Sequence, residues 1–306
     1  MRMLVVGAGS TGGYFGGRLA KAGRDVTFLV RKNRAENLRE NRLSVISPHG
    51  NFSIAPKLLL AEELDSAFDV VLLAVKAYSL DAALDDAAPA IGPGTMILPV
   101  LNGMRHMDVL AGRFGKEALL GGVCKIPATL DDEGRVVHLG NFHDLIYGEL
   151  DGSVSPRVRA LDGFMQGAGF DARLSEAVAR EMWEKWIMLS SLGAITCLMR
   201  GNVGQIEAAP GGPEFVHRLF DEAVAVARAA GKAPDEAFLE QAKAMLTAKG
   251  SSLTSSMYRD LLQGGAIEAD QIIGDLVARG RDAGLSVPLL AATYTNLCVY
   301  QQQIGQ

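Results

Sequence analysis

The first thirty-one residues constrain the fold more than any other stretch. Met3 to Val6 is an apolar run too short for anything but a buried strand. It passes into Gly7-Ala8-Gly9-Ser10-Thr11-Gly12, then a helix-like segment ending near Gly23, then a second apolar run from Val26 to Val30. Strand, glycine turn, helix and strand make a βαβ unit, and the glycines fall at G-x-G-x-x-G spacing. Each has a mechanical role. Gly7 permits the tight turn, Gly9 lets backbone approach a pyrophosphate, and Gly12 lets the helix pack close to the strand. The pyrophosphate would rest on free N–H groups at the positive end of the helix. The expectation is a dinucleotide site formed by Gly7, Ala8, Gly9, Ser10, Thr11 and Gly12.

The end of the second strand selects the nucleotide. A site for NAD usually places Asp or Glu there, to accept from the ribose 2′-hydroxyl. Here the strand runs out through Phe28-Leu29-Val30 into Arg31-Lys32-Asn33-Arg34, with three cations and no carboxylate. An arginine fork matches a phosphate bidentately. The reading is NADP(H), with Arg31 on the 2′-phosphate; a solvated basic turn opening the next helix is the plainer alternative.

The other strands of an α/β domain follow. Leu43 to Ser47 and Phe52 to Ile54 alternate around Pro48-His49-Gly50-Asn51 and read as a hairpin. Val70 to Val75 is wholly apolar, as a strand buried on both faces must be. A helix from about Ser79 to Ala90 and a strand over Thr95 to Leu98 come next. Lys76 and Asn102 stand just beyond strand carboxyl ends, where ligands bind in open α/β sheets. Leu119 to Leu150 reads as strands with short turns, expected as antiparallel additions at the sheet edge. Ser155 to Gly167 reads as helix and Phe170 to Leu174 as a last strand. Beyond Ser175 the periodicity is helical: about 176–199, 213–230, 235–248, 266–283 and 288–302. The expected fold is an α/β Rossmann-type dinucleotide-binding domain over 1–175, followed by an all-α substrate and catalytic domain over 176–306. The active site is expected in the cleft between them.

Composition narrows the function class. A chain of 306 residues holds two sizeable cores, and a formal net charge of −5 offers no basic surplus for nucleic acid. No apolar run approaches membrane-spanning length. The chain opens directly on its first strand, so no leader is expected, and Cys124, Cys197 and Cys298 read as reduced, buried thiols of a cytoplasmic protein. The histidines, His49, His106, His138, His143 and His217, show no metal-ligand spacing.

Two features of the second half carry chemistry. Lys185 lies on a helix with Met188, Leu189, Leu192 and Gly193 on its side. Desolvation of that ammonium would make it a better proton donor; a lysine snorkelling at the domain edge is the alternative. The other is Gly250-Ser251-Ser252-Leu253-Thr254-Ser255-Ser256-Met257, followed by Glu268 and Asp270. A serine such as Ser255 before a helix can simply cap it.

Together these residues resemble the ketopantoate reductase (2-dehydropantoate 2-reductase) family over essentially the whole chain. The likeness rests on Gly7-x-Gly9-x-x-Gly12, Val75-Lys76-Ala77-Tyr78, Asn102-Gly103-Met104, Trp183-x-Lys185, and Ser255-Ser256-Met257 with Glu268-x-Asp270. It implies an NADPH-dependent reduction of a 2-oxo acid to a 2-hydroxy acid, ketopantoate to pantoate in pantothenate biosynthesis being the family reaction. By position it makes Lys185 the general acid and Glu268 an orienting catalytic group. Lys76 and Asn102 would lie by the nicotinamide, with Asn102 and Ser256 on the substrate.

The chain also departs from that family. Members typically carry Asn one and two turns after the lysine, where Leu189 and Gly193 stand here. A pocket built on these would be more apolar and roomier, and would discriminate poorly for a substrate hydroxyl. A paralogous reductase of a more apolar 2-oxo acid is therefore kept beside the family reaction, as is a redox sensor that binds NADP(H) without turnover. The partner expected is a small-molecule substrate, with neither nucleic acid nor membrane. The apolar stretch from Leu289 to Tyr300 fits either a homodimer contact or ordinary core.

Overall fold

The computed structural model describes residues 1–305. Its backbone divides into two compact units. One comprises Met1–Leu101 and His106–Ala179; the other comprises Asn102–Arg105 and the chain from Arg180 onward.

The first unit opens with β1 (Arg2–Val6), α1 (Ser10–Lys21), β2 (Asp25–Leu29) and α2 (Lys32–Asn41). The hairpin β3 (Leu43–Ile46) and β4 (Phe52–Ile54) follows, then β5 (Lys57–Leu59), β6 (Val70–Leu73), α3 (Leu80–Ala87) and β7 (Met96–Pro99). Five strands form a parallel sheet in the order β5-β2-β1-β6-β7. β6 and β7 are wholly buried and β1 is buried beyond Arg2, as in a parallel sheet covered on both faces. The order reverses direction at β1, so the crevice at the carboxyl ends of β1 and β6 is where a ligand fits this topology. The edge strand β5 carries no strong sequence signal, being three residues long.

After α4 (Arg105–Phe114) come β8 (Leu120–Lys125), β9 (Ala128–Leu130), β10 (Val136–His138), β11 (Asp144–Glu149), α5 (Pro156–Met165) and β12 (Asp171–Leu174). The expectation of antiparallel additions to the main sheet needs correction. β9 and β10 join the hairpin in a separate sheet of order β4-β3-β10-β9, and β8, β11 and β12 form another of order β12-β11-β8. A single bridge, Ile97 to Leu119, ties the latter to the main sheet. The reason lies in α1, which packs against strands on two sides. A Cβ at Gly16 would lie 2.7 Å from the Phe28 ring of the main sheet, and one at Gly13 would lie 2.9 Å from Val136 of the small sheet. Bare glycine faces let both sheets close on one helix.

The second unit is helical: α6 (Val178–Met199), α7 (Val203–Ala208), α8 (Gly212–Ala229), α9 (Glu236–Leu246), α10 (Ser256–Leu262), α11 (Asp275–Asp282) and α12 (Pro288–Gln303). α11 is preceded without a break by a π-helical turn, Asp270–Gly274. The helix expected from 266 therefore begins only at Ala269, after a non-helical stretch. Trp186, Phe220, Ile273 and Leu290 lie in its core. Among the described residues no helix is long and apolar enough to cross a membrane. Cys124 and Cys197 are buried thiols, but Cys298 is only half-buried.

Candidate active site

The glycine turn sits at the carboxyl end of β1. Gly7 has φ +95°, a region L side chains avoid, and a Cβ there would press Val75 and the Ala74 carbonyl after β6 at 3.1 and 3.2 Å. A Cβ at Gly12 would lie 2.0 Å from the Gly7 carbonyl, so only glycine lets α1 start so close to β1. A Cβ at Gly9 would meet nothing within 4 Å. Gly9 itself caps α1 without a side-chain bond, and no acidic residue stands in the first turn. Ser10 and Thr11 begin that turn. The helix dipole and its leading N–H groups are thus presented to open space, the arrangement that binds phosphate.

Arg31 caps α2 at the end of β2, and its exposed side chain has no polar partner among the described residues. Lys76 is exposed at the end of β6 and opens a short 3₁₀ turn. The first unit thus brings the glycine turn, Arg31 and Lys76 to one edge, across the adjacent strands β2, β1 and β6. Arg34, met in sequence only as part of a basic run, is turned inward. Its Nε donates to the Ala8 carbonyl over 3.0 Å.

The remaining predicted residues, Asn102, Lys185, Ser256 and Glu268, belong to the second unit. Three of their segments are fastened to the π-turn. The turn after Asn102 presses on it, since a Cβ at Gly103 (φ +80°) would lie 2.4 Å from the Gln271 carbonyl. The Trp186 indole, next to Lys185, donates to the Ile272 carbonyl over 2.9 Å. Glu268 stands two residues before the first residue of the π-turn, the Glu268 carbonyl accepting from the Ile272 N–H at 3.0 Å. π-turns enlarge one ring of a helix and recur at functional sites. Asp270 is held within the fold by the Tyr294 hydroxyl at 2.5 Å and the Gln301 amide at 3.3 Å. Sequence reading missed the turn, which has no compositional signature.

Lys185 is half-buried on α6, and Leu189, Gly193 and Thr196 continue its face toward the helix end. Thr196 Oγ1 lies 2.9 Å from Ser255 Oγ, which caps α10 by accepting from the Tyr258 N–H at 3.0 Å. Ser255 is thus a structural cap, while Ser256 beside it is exposed. A Cβ at Gly193 would lie 2.8 Å from Cε of Met257. The expected roomier pocket is corrected here: the methionine end fills the space that glycine leaves, so this wall is apolar without being open. Burial pushes the nearby Cys197 thiol up to about 12, which removes it as a nucleophile.

Outside these elements, His49, His138 and His143 gather with ligand atoms within 4.8 Å of one another, an association their spacing does not announce. The rings stack, His49 on His143 at 3.8 Å between centroids and 22° between planes. Imidazole lone pairs lie in the ring plane, so stacked rings do not aim at one ion. Both nitrogens of His138 are engaged, Nδ1 with Ser47 at 3.0 Å and Nε2 with the Phe142 carbonyl at 3.0 Å. His143 Nδ1 lies 2.6 Å from the Tyr14 hydroxyl.

Comparisons with known proteins bear on both units. The family model described as ketopantoate reductase PanE/ApbA matches residues 3–152, and that for the ketopantoate reductase PanE/ApbA C terminal matches residues 177–301. An uncharacterized oxidoreductase of Bacillus subtilis, YkpB, is 37% identical, over 99% of this chain and 100% of its own length. The crystal structure of 2-dehydropantoate 2-reductase from Geobacter metallireducens superposes with a TM-score of 0.87 at 28% identity, covering 97% of this chain and 99% of that one. The ternary structure of D-mandelate dehydrogenase with NADH and anilino(oxo)acetate shares the fold, with a TM-score of 0.87 at 19% identity over 100% of both chains.

Proposed function

The chain belongs to the ketopantoate reductase family, and we propose that it reduces a 2-oxo acid to the 2-hydroxy acid with NADPH. The observation that carries this reading is the attachment of the Asn102, Lys185 and Glu268 segments to one π-turn. Residues scattered through the sequence share a single rigid support, as a catalytic constellation requires.

The glycine turn fits a nicotinamide dinucleotide, because Gly9 faces open space, where any side chain would narrow the approach to its backbone, and the α1 N-terminus is uncapped. Gly7, Ala8, Gly9, Ser10, Thr11 and Gly12 would hold its pyrophosphate, Arg31 its 2′-phosphate, and Lys76 and Asn102 its nicotinamide half. When bound, the nicotinamide supplies hydride to the keto carbon. Lys185 gives the developing alkoxide a proton, and its positive charge stabilises that oxygen beforehand. Ser256 and Asn102 hold the acid through hydrogen bonds, and Glu268 orients the reacting groups.

2-Dehydropantoate, giving pantoate for pantothenate biosynthesis, is the family substrate and the first candidate. The Met257 methyl beside Gly193 favours a second, a branched 2-oxo acid without the terminal hydroxyl. Consumption of NADPH with a panel of 2-oxo acids tests the reading. Substrate-dependent loss of reduced-nicotinamide absorbance supports it; tight NADPH binding with no turnover of any 2-oxo acid makes the protein a sensor and defeats it.

A further inference from the structure

We propose that Arg34 is a positioning residue of the dinucleotide turn, aiming the Gly9 N–H at the pyrophosphate by clamping the Ala8 carbonyl. The inference rests on the reading of Gly7 to Gly12 as a dinucleotide site.

Arg34 stands one turn into α2, on the same helix face as Arg31. The two arginines are otherwise unlike. Arg31 is exposed and points to no described partner, whereas the Arg34 guanidinium is engaged on several sides. Its Nε donates to the Ala8 carbonyl over 3.0 Å, and its Nη1 donates to Asn37 Oδ1 over 2.8 Å and to the Gly134 carbonyl over 3.1 Å. Its Nη2 is buried without a partner. Every acceptor is neutral, so no carboxylate offsets the charge.

The peptide plane turns this contact into a function. Ala8 C=O and Gly9 N–H belong to one trans peptide, so they point in opposite directions. Fixing the carbonyl toward Arg34 directs the N–H away from α2. The same residue leaves a guanidinium charge one peptide from the anion site, in a half-buried setting where solvent screens it poorly. Arginine keeps that charge even when burial lowers its pKa, as here. A buried cation without a counter-ion is costly, and a bound pyrophosphate is an anion suited to offset it. The fork is also braced from outside: a Cβ at Gly134 (φ +74°) would lie 2.8 Å from Nη1, so the turn between β9 and β10 closes tightly on it.

The division of labour is testable, because Arg31 would act on the 2′-phosphate alone and Arg34 on a part that both nucleotides share. Dissociation constants for NADH and NADPH are measured by reduced-nicotinamide fluorescence on native protein, Arg34→Met, Arg34→Lys and Arg31→Ala, with thermal unfolding of each unliganded variant as control. Arg34→Met is expected to weaken both nucleotides by the same factor, about tenfold for a lost charge-assisted contact. Arg34→Lys keeps the charge but cannot grip Ala8 and Gly134 together, and stays weakened for both. Unchanged affinities, or a loss confined to NADPH, overturn the proposal. Failure of the native protein to bind either nucleotide instead overturns the dinucleotide reading beneath it. Should Arg34→Met fail to fold, Gly134→Ala displaces Nη1 without altering α2. The same equal loss is then expected, and unaltered affinities refute the role.

Discussion

The indole N–H of Trp186 donates to the Ile272 carbonyl across 2.9 Å and fastens the helix bearing Lys185 to the π-turn that follows Glu268. A π-turn interrupts the regular i to i−4 ladder and makes a main-chain carbonyl available to a side chain. Trp186 takes that carbonyl in a buried setting, where an unpaired one is costly.

Replacing that indole by Phe keeps a ring but leaves Ile272 without its donor. Trp186→Phe should lower unfolding stability by about 1–3 kcal/mol, the cost of an unsatisfied buried acceptor. NADPH affinity should stay close to native, since the residues proposed for the pyrophosphate and the 2′-phosphate lie in the other unit. Denaturant unfolding beside a cofactor titration checks both halves of this expectation.

Arg31 governs cofactor choice in this account. NADPH should bind more tightly than NADH by about 1–3 kcal/mol, the scale of a charged hydrogen-bonded contact. Arg31→Ala should remove most of that gap while leaving NADH unaffected. Equal affinities in the native protein would refute the assignment.

In the proposed reaction Lys185 supplies the proton. Lys185→Ala should reduce kcat by roughly 10²–10⁴, as loss of a general acid does, with NADPH binding nearly unaltered. A variant that turns over at close to the native rate would reduce this lysine to a half-buried surface group.

In the proposed pocket, Met257 against Gly193 would set substrate preference. A deoxy analogue of ketopantoate should show the higher kcat/KM, because a buried terminal hydroxyl without a partner costs about 1–3 kcal/mol. Leu189→Asn should move the preference back toward ketopantoate. If native protein prefers ketopantoate by about tenfold, or 1.4 kcal/mol, another residue supplies the hydrogen bond.

The stacked histidines predict acid sensitivity of the first unit. Burial lowers the pKa of His138, and the nearby His49 and Arg18 charges lower it further, against the raising effect of the Phe142 carbonyl. His143 is lowered by burial first, then by His49, His138 and Arg18, with Asp171 opposing. Both titrate lower folded than unfolded, so the unfolded chain takes up protons first. Their contribution is full above the unfolded value of about 6.5 and is lost as pH falls through it toward the folded values. Urea unfolding from pH 8 to 5 should show that decline, and His143→Asn should flatten it. A native curve with no decline across this range would contradict the argument.

What was legible in the sequence was local. Gly7 to Gly12 could be read because strand, turn and helix are contiguous, and Lys185 because an ammonium on an apolar helix face is conspicuous. The small sheet was not, since Val45 and Val136 pair across half of the first unit. α7 does carry a local signal, the Asn202–Gln205 capping box. α10 is a short helix begun by the Ser255 cap. The π-turn and the histidine stack are set by tertiary contacts, which no window of sequence contains.

Hydride transfer to the keto carbon is the central claim, and isotope transfer tests it most directly. The protein is incubated with a 2-oxo acid it consumes and NADPH deuterated at the transferring position of the nicotinamide. The account predicts a 2-hydroxy acid carrying one deuterium at carbon 2 for each NADPH oxidised. A hydroxy acid without the label, or oxidised cofactor with no hydroxy acid formed, would contradict it.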